Sequence, residues 1–224
     1  MWSSKNSGIL YASTSTSCGC KSKTRKMAHE LHCPLCTTMT KNGDSILIPP
    51  ITAPIKWCFW KKPLPGCIKL NTDGSVIPGS SAFGGLLRDD RGNPICAFVT
   101  KSFEDNVFLV ELMAVWRGLI LASDLGISTI WVESDSSNVV KAIDRELKYG
   151  PEIGCYLSQI WELLDSFENH LVTHSWREAN KAADYLSKMR VGEDDDLLLW
   201  PVDFPYMLRN IIKDDAQGKI YFRP

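Results

Sequence analysis

The sequence predicts an α/β domain built on a mixed five-stranded sheet, with three antiparallel strands followed by two parallel ones and helices on both faces. Two observations predict this fold. Residues 66–101 of the 224-residue chain contain three strand-like segments separated by turn signals, and residues 107–189 alternate helical and strand-like segments. This order of elements is typical of a mixed sheet covered by helices.

The three antiparallel strands are predicted over residues 66–73, 82–88 and 94–101. In the first strand, apolar and polar residues alternate with the period of a strand. This strand is predicted to end at Asp73, because Gly74 permits a sharp turn. The segment DDRGN between the second and third strands is a hairpin signal, so the three strands form a meander.

The remaining elements are predicted from apolar periodicity. The first helix ends before Gly126, which is typical of a helix C-terminus. Beyond Gly192, an acidic run and a Trp-Pro pair predict an extended appendage over residues 191–224. The predicted helices cover residues 107–125, 136–147, 151–167 and 178–189, and the predicted strands cover residues 129–134 and 171–176.

Charge and composition separate a tail (1–56) from the domain (57–190). Residues 1–62 contain nine Lys and Arg against two acidic residues, whereas residues 63–224 contain 16 basic and 24 acidic residues. The tail is rich in Ser, Thr and Lys without periodicity and is predicted to be mostly disordered. A basic tail suits an anionic partner, although a solvated tail has the same composition.

Cysteines in the tail raise the question of zinc. Cys33 and Cys36 form a C-x-x-C pair, which can supply two zinc ligands. The other pair, Cys18 and Cys20, is not at a standard zinc-finger spacing, so reduced, unstructured thiols are favoured over a zinc site.

Membrane and targeting signals are weak. No stretch approaches the roughly 18 apolar residues of a membrane span, and the N-terminus lacks the apolar segment of a secretory signal. The sequence favours a nuclear or cytoplasmic monomer. The Ser/Thr-rich, acid-poor opening is also similar to an organellar transit peptide, so that location stays open.

Four carboxylates are the candidate functional residues: Asp73, Glu111, Asp135 and Asp184. Each has an ordinary interpretation, respectively a turn residue, a helix-start residue, a helix cap and a solvated helix residue. Together they indicate a shared site, because the first and fourth strand ends are expected neighbours and chemistry lies at such ends. A shared divalent-metal site would explain them and predicts phosphodiester hydrolysis.

Glu111 has the least ordinary setting of the four. Its helical neighbours Ala114, Gly118 and Ala122 form a stripe of small residues, which lets a helix approach a sheet closely. The stripe therefore predicts that Glu111 faces the sheet edge, where burial raises a carboxyl pKa unless a cation is present.

The segment from residue 57 to residue 189 resembles the type-one ribonuclease H domain, in particular its plant retroelement-derived, reverse-transcriptase-like branch. The resemblance covers nearly the whole domain in the correct order. The matching segments are KLNTDGS (69–75), GGLLRDDRG (84–92), VEL (110–112), GLILA (118–122), ESDS (133–136) and HSWREANKAAD (174–184). The CPLC segment is similar to the start of a zinc-binding segment that precedes this domain in retroelement polyproteins.

The resemblance implies a ribonuclease H-like fold and hydrolysis of the RNA strand of RNA–DNA hybrids. It implies that the four carboxylates hold two Mg²⁺ or Mn²⁺ ions. It also implies that His174 moves protons and that Asn180 orients substrate or a metal carboxylate. Further substrate contacts would come from Gly74, Ser75, Ser136 and Asn138.

A second hypothesis is a non-catalytic, domesticated retroelement domain that binds nucleic acid or a protein partner. Two departures from bacterial relatives favour it. Apolar Val107, Phe108 and Leu109 stand where those relatives carry polar substrate-gripping residues, and the basic region between helices is reduced. Intact carboxylates and His174 favour the enzyme.

Overall fold

The computed structural model describes residues 37–39, 45–47, 56–78, 80–190 and 196–223. The chain forms two compact units, residues 1–52 and 53–224. In the first unit, strands β1 (Thr37–Met39) and β2 (Ser45–Leu47) pair antiparallel. The zinc question at Cys18, Cys20, Cys33 and Cys36 lies outside the described residues.

The second unit contains the predicted α/β domain. In chain order its elements are β3 (Lys56–Cys58), β4 (Ile68–Ile77), β5 (Ser80–Arg88), β6 (Pro94–Ser102), α1 (Val107–Asp124), β7 (Thr129–Ser134), α2 (Ser137–Ile143), α3 (Pro151–Ser166), β8 (Asn169–His174), a 3₁₀ turn (Arg177–Ala179), α4 (Lys181–Ser187), β9 (Asp196–Leu199), a second 3₁₀ turn (Pro201–Asp203), α5 (Tyr206–Ala216) and β10 (Tyr221–Arg223).

The main sheet has six strands in the order β8-β7-β4-β5-β6-β9. Strands β4, β5 and β6 form the predicted antiparallel meander, and β7 and β8 continue from β4 in parallel. Strands β4 to β8 confirm the predicted mixed sheet. One core lies between the sheet and α1 and α3, around Leu70, Val115 and Ile160. A second core, around Leu86 and Leu186, lies on the α4 face.

The C-terminal segment differs from the predicted extended appendage. Its strand β9 pairs with the edge of β6 and becomes the sixth strand of the sheet. Helix α5 buries Leu208 and Ile212 in the core on the α4 face. These two residues are four apart, a helical spacing that explains why the segment folds onto the domain. Strand β10 pairs with β3.

Strand β4 continues past Asp73 to Ile77, so the predicted turn at Gly74 was wrong. Because helices cover both faces of this central strand, even its polar residues Lys69, Asn71 and Asp73 are buried. A Cβ atom at Gly74 would lie only 2.8 Å from the backbone nitrogen of Glu111. Glycine is therefore required here by the close approach of α1 and not by a turn.

The observed helix boundaries agree best with the predicted ones where the helix has a strong cap. Helix α1 begins after Asn106, whose side chain accepts hydrogen bonds from two backbone N–H groups of the first turn. The predicted helix over residues 136–147 is shorter, because the chain turns at Arg145, which has a φ of 62°. The predicted helix over residues 178–189 divides into a 3₁₀ turn and α4. None of the helices in the described part of the chain is long and apolar enough to cross a bilayer.

Candidate metal centre

Three of the four predicted carboxylates converge at one edge of the sheet. Asp73 lies on β4, and Asp135 directly follows the parallel neighbour β7, where Thr72 is paired with Ser134. Glu111 reaches the same point from the first turns of α1. One carboxylate oxygen from each of the three residues lies within 4.8 Å of the others. The ends of the first and fourth predicted strands, which are β4 and β7 in the structure, were expected to be neighbours, and the convergence of the carboxylates agrees with this prediction.

The small-residue stripe positions Glu111 as predicted. Ala114, Gly118 and Ala122 are fully buried against the sheet. A Cβ atom at Gly118 would lie 2.6 Å from a methyl carbon of Leu70, so glycine lets the Leu70 side chain pack directly against the helix. Helix α1 is thus held close enough to β4 for its glutamate to enter the carboxylate cluster.

Burial and mutual repulsion change the pKa values of two cluster carboxyls. Burial, followed by the negative charge of Asp135, raises the pKa of Asp73 to about 7. Burial, followed by the charges of Asp73 and Asp135, raises the pKa of Glu111 to about 9. Both shifts have the direction expected for acids that lose water and face like charges. A bound cation would oppose both shifts, because it stabilises the ionised form of each carboxyl.

The residues present fit a divalent cation. Glu111 Oε2 is buried without a hydrogen-bond partner among the described residues, and such orphaned buried oxygens are rare in folded proteins. The three side chains offer only carboxylate oxygens, which are hard ligands suited to Mg²⁺ or Mn²⁺. The cluster therefore offers the oxygen ligands of a divalent-metal site, and one of these buried oxygens has no hydrogen-bond partner among the described residues.

Asp184 does not join this cluster in the structure. Its Oδ1 accepts hydrogen bonds from Arg177, with Nη2 at 2.7 Å, and Lys188 Nζ lies 2.6 Å from both carboxylate oxygens. Burial opposes ionisation of Asp184, but hydrogen bonds from Lys188 and Arg177 outweigh it and lower the pKa. Asp184 is close enough to raise the pKa of Asp73. Asp184 is therefore a neighbour of the cluster, and its carboxylate is paired with Arg177 and Lys188.

Asn180 links the strands that hold the cluster. Its Nδ2 donates to the backbone oxygen of Thr72 at 2.9 Å and contacts Asp135 Oδ1 at 3.5 Å. Its Oδ1 accepts a hydrogen bond from Asn71. The amide is fully buried, so it fixes the relative positions of the ends of β4 and β7.

His174 ends β8 next to the cluster. Its Nε2 lies 3.1 Å from the backbone oxygen of Asp135, so this nitrogen carries the proton in the contact. The ring meets Trp176 edge-on at 5.1 Å between centroids. The histidine remains solvent-exposed and beside the candidate metal centre.

The predicted substrate-contact residues lie around the cluster. Gly74 and Ser75 follow Asp73 on β4 and are half-buried. Ser136 precedes α2 without a side-chain cap hydrogen bond, and Asn138 is exposed on its first turn. Helix α2 has only seven residues, so its dipole is small.

The sequence analysis did not predict two further residues that contact the site. Ser187 Oγ donates a hydrogen bond to Asp73 Oδ2. Its position three residues after Asp184 on α4 was a usable signal, because residues at this spacing share a helix face. Lys188, four residues after Asp184, contacts that carboxylate and was detectable from the same periodicity.

The fold is shared with solved ribonuclease H structures. RNase H1 from the halophilic archaeon Halobacterium salinarum has a TM-score of 0.52 at 24% identity, over 54% of this chain and 94% of that protein. The N-terminal RNase H domain of a Mycobacterium tuberculosis protein has a TM-score of 0.52 at 21% identity, over 54% and 90%. The second unit thus has a ribonuclease H-like fold.

The sequence itself identifies the family. The profile of the reverse transcriptase-like family matches residues 71–190, more than half of the chain, and this range includes every carboxylate of the site. The chain belongs to the reverse transcriptase-like family. It is also similar to an Arabidopsis thaliana protein named "Putative ribonuclease H protein", with 33% identity over 134 residues, 57% of this chain. The chain spans about a fifth of that relative's length, since the match covers 21% of it.

Proposed function

We propose that this chain is a metal-dependent endonuclease that hydrolyses the RNA strand of RNA–DNA hybrids. The observation that carries the proposal is the convergence of Asp73, Glu111 and Asp135 within 4.8 Å. Three buried or half-buried carboxylates repel one another, and this arrangement is costly unless a cation occupies it. The similarity to the Arabidopsis ribonuclease H protein supports the same reaction class.

The three clustered carboxylates would hold the first divalent cation through one oxygen each. Bound Mg²⁺ or Mn²⁺ ions would supply water activation and neutralise charge that develops on the phosphoryl group. Asp184 would join this ligand set by giving up its contacts with Arg177 and Lys188, whose side chains are exposed. Asn180 would keep Asp135 oriented toward the cluster.

His174 is the candidate proton carrier. Its ring is exposed beside the carboxylates, and its Nε2 lies 3.1 Å from the Asp135 backbone oxygen. The other ring nitrogen, Nδ1, is therefore available to accept a proton near the reacting phosphate. Proton transfer by a positioned imidazole is the commonest form of general acid–base catalysis, which suits this task.

Substrate contacts would surround the cluster. Gly74 and Ser75 would contact the RNA strand next to Asp73, where a 2′-hydroxyl distinguishes RNA from DNA. Ser136 and Asn138 would contact a phosphate near the start of α2.

A cleavage assay tests the proposal. The full chain is incubated with an end-labelled RNA–DNA hybrid and Mg²⁺, beside an Asp135→Asn variant and a DNA duplex of the same sequence. We expect cleavage of the hybrid RNA strand by the unmodified chain, loss of cleavage in the variant and with EDTA, and an intact DNA duplex. Absence of cleavage by the unmodified chain would overturn the enzyme proposal.

A second candidate function is non-catalytic binding of nucleic acid or a protein partner. The observation that favours it is the pairing of Asp184 with Arg177 and Lys188, which leaves three carboxylates in the cluster. In that case the hybrid would bind without being cut, and Asp135→Asn would bind it equally well.

A further inference from the structure

A groove of about 560 Å³ lies at the C-terminal end of β4, beside the candidate metal centre. Its walls are the ends of β4, β5 and β6 and the C-terminal end of α4. Four serines and three cationic residues line it: Ser75, Ser80, Ser81, Ser187, Lys101, Lys188 and Arg190.

The groove is continuous with the carboxylate cluster. Ser187 lines the groove and also donates its hydroxyl hydrogen bond to Asp73. Lys188 lines the groove and contacts both oxygens of Asp184 at 2.6 Å. A ligand in the groove therefore lies one side chain away from the candidate metal centre.

The charge of the groove is opposite to that of its surroundings. Residues 63–224 contain 24 acidic and 16 basic residues, yet none of the described residues that line the groove is acidic. Lys101, Lys188 and Arg190 are exposed and close together on this surface. Such a local concentration of cations with hydroxyl donors is suited to phosphodiester oxygens.

We propose that this groove binds the sugar-phosphate backbone of a nucleic-acid strand that passes the candidate metal centre. The inference rests on the proposed function and extends it to a specific path on the surface. Lys101 and Arg190 would contact phosphates, and Ser75 and Ser80 would donate hydroxyl hydrogen bonds. These contacts carry no base sequence information, so binding here is independent of sequence.

Hybrid binding by a cleavage-deficient chain tests the groove. In the Asp135→Asn background with Mg²⁺, fluorescence anisotropy measures the affinity of a labelled RNA–DNA hybrid at several salt concentrations. Lys101→Gln with Arg190→Gln is compared with Lys62→Gln with Lys213→Gln, which removes the same charge elsewhere. Lys213 is a suitable control because it lies beside the β5–β6 turn, at the opposite end of β5.

We expect the groove pair to raise Kd severalfold and to reduce the slope of log K against log salt by about 1.8, since each lost phosphate contact contributes about 0.9. The control pair should leave both values near those of the background. Equal effects of the two pairs would overturn the groove proposal.

The nuclease proposal and the groove proposal fail in different ways. Cleavage by the unmodified chain without a groove-specific loss of affinity removes only the groove. Groove-specific binding without cleavage removes only the nuclease activity and keeps the groove. Absence of any hybrid binding removes both. Thermal unfolding of each variant confirms that surface substitutions leave the fold intact.

Discussion

Glu111 combines three properties that rarely occur together in a stable protein. Its side chain is buried, its Oε2 has no partner among the described residues, and it faces two other carboxylates. Each property raises the energy of the ionised side chain. The residue therefore costs stability in the metal-free chain, and a cation bound to the cluster would reverse that cost by linkage.

This cost should depend on pH in the metal-free chain. The unfolded pKa of Glu111 is near 4.5 and the folded pKa is about 9. The folded state thus holds a proton that the unfolded state releases, so stability falls as pH rises through this window. The loss is absent below the unfolded pKa, grows by at most about 1.4 kcal/mol per pH unit for one carboxyl, and is complete above the folded pKa.

Urea unfolding in EDTA between pH 5.5 and 8.5 measures the effect in the unmodified chain and in Glu111→Gln. We expect the variant to gain stability relative to the unmodified chain as pH rises, because glutamine does not ionise. A stability difference that stays constant with pH would mean that Glu111 is not held protonated in the folded chain.

Lys188 should compete with metal for Asp184. Its ammonium contacts both oxygens of that carboxylate, and the pair is half exposed. Exposed ion pairs contribute roughly 0.2–1 kcal/mol, so Lys188→Met should tighten Mn²⁺ binding by about 1.4-fold to fivefold. Calorimetric titration measures this, with Lys181→Met as the control on the same helix. Unchanged or weaker Mn²⁺ binding by Lys188→Met alone would show that Asp184 does not take part in the metal site.

At the scale of elements, the site depends on the contact between α1 and β4. The closest approach is at Gly74, where an added Cβ atom would meet the backbone of Glu111 and Val110 at 2.8 and 3.0 Å. Backbone atoms cannot rotate away as a side chain can, so the helix would have to move. Any such movement displaces Glu111 from Asp73.

Gly74→Ala should therefore destabilise the chain by about 1–3 kcal/mol, the usual cost of overpacking, and weaken Mn²⁺ binding. Gly154→Ala is the matched control on α3, where no atom lies within 4 Å of the added methyl. That substitution should be neutral or stabilising by roughly 0.5–1 kcal/mol, because it lies in a helix. Chemical denaturation compares the two variants. Similar stabilities would contradict a tight α1–β4 contact.

The sequence predicted elements well where the pattern was local. Helix α1 and strand β7 lie where periodicity placed them, because caps and a dense apolar run mark their ends. The end of β4 was misjudged because glycine signals a turn and a close approach equally well. Only the neighbouring helix, which is distant in sequence, decides between these alternatives at Gly74.

The site could likewise be predicted in part from the sequence. The carboxylates could be grouped because strand order places the ends of β4 and β7 together. The partners of Asp184 could not be assigned in the same way, because side-chain pairing on a half-exposed helix depends on rotamers of long cationic residues.

At the scale of the whole molecule, the C-terminal segment completes the domain, although it lies outside the family match at residues 71–190. Asp215 of α5 forms a fully buried ion pair with Arg88 of β5. Arg88 also donates to Asn71 Oδ1 at 2.7 Å, and Asn71 donates to Asn180. A hydrogen-bond chain thus connects the C-terminal helix to the amide that holds the ends of β4 and β7.

Breaking this series of hydrogen bonds at Asp215 should strongly destabilise the folded protein. Asp215→Ala leaves the Arg88 guanidinium buried without its anionic partner, with the Trp60 ring 3.7 Å away. Loss of one partner of a buried pair costs about 3–5 kcal/mol. The neighbouring Asp214→Ala breaks only the exposed pair with Lys219 and should cost less than about 1 kcal/mol. Guanidinium unfolding of both variants measures the difference. If Asp215→Ala were as mild as Asp214→Ala, the C-terminal helix would be a dispensable attachment, whereas a large difference makes it a structural part of the domain that positions the carboxylates.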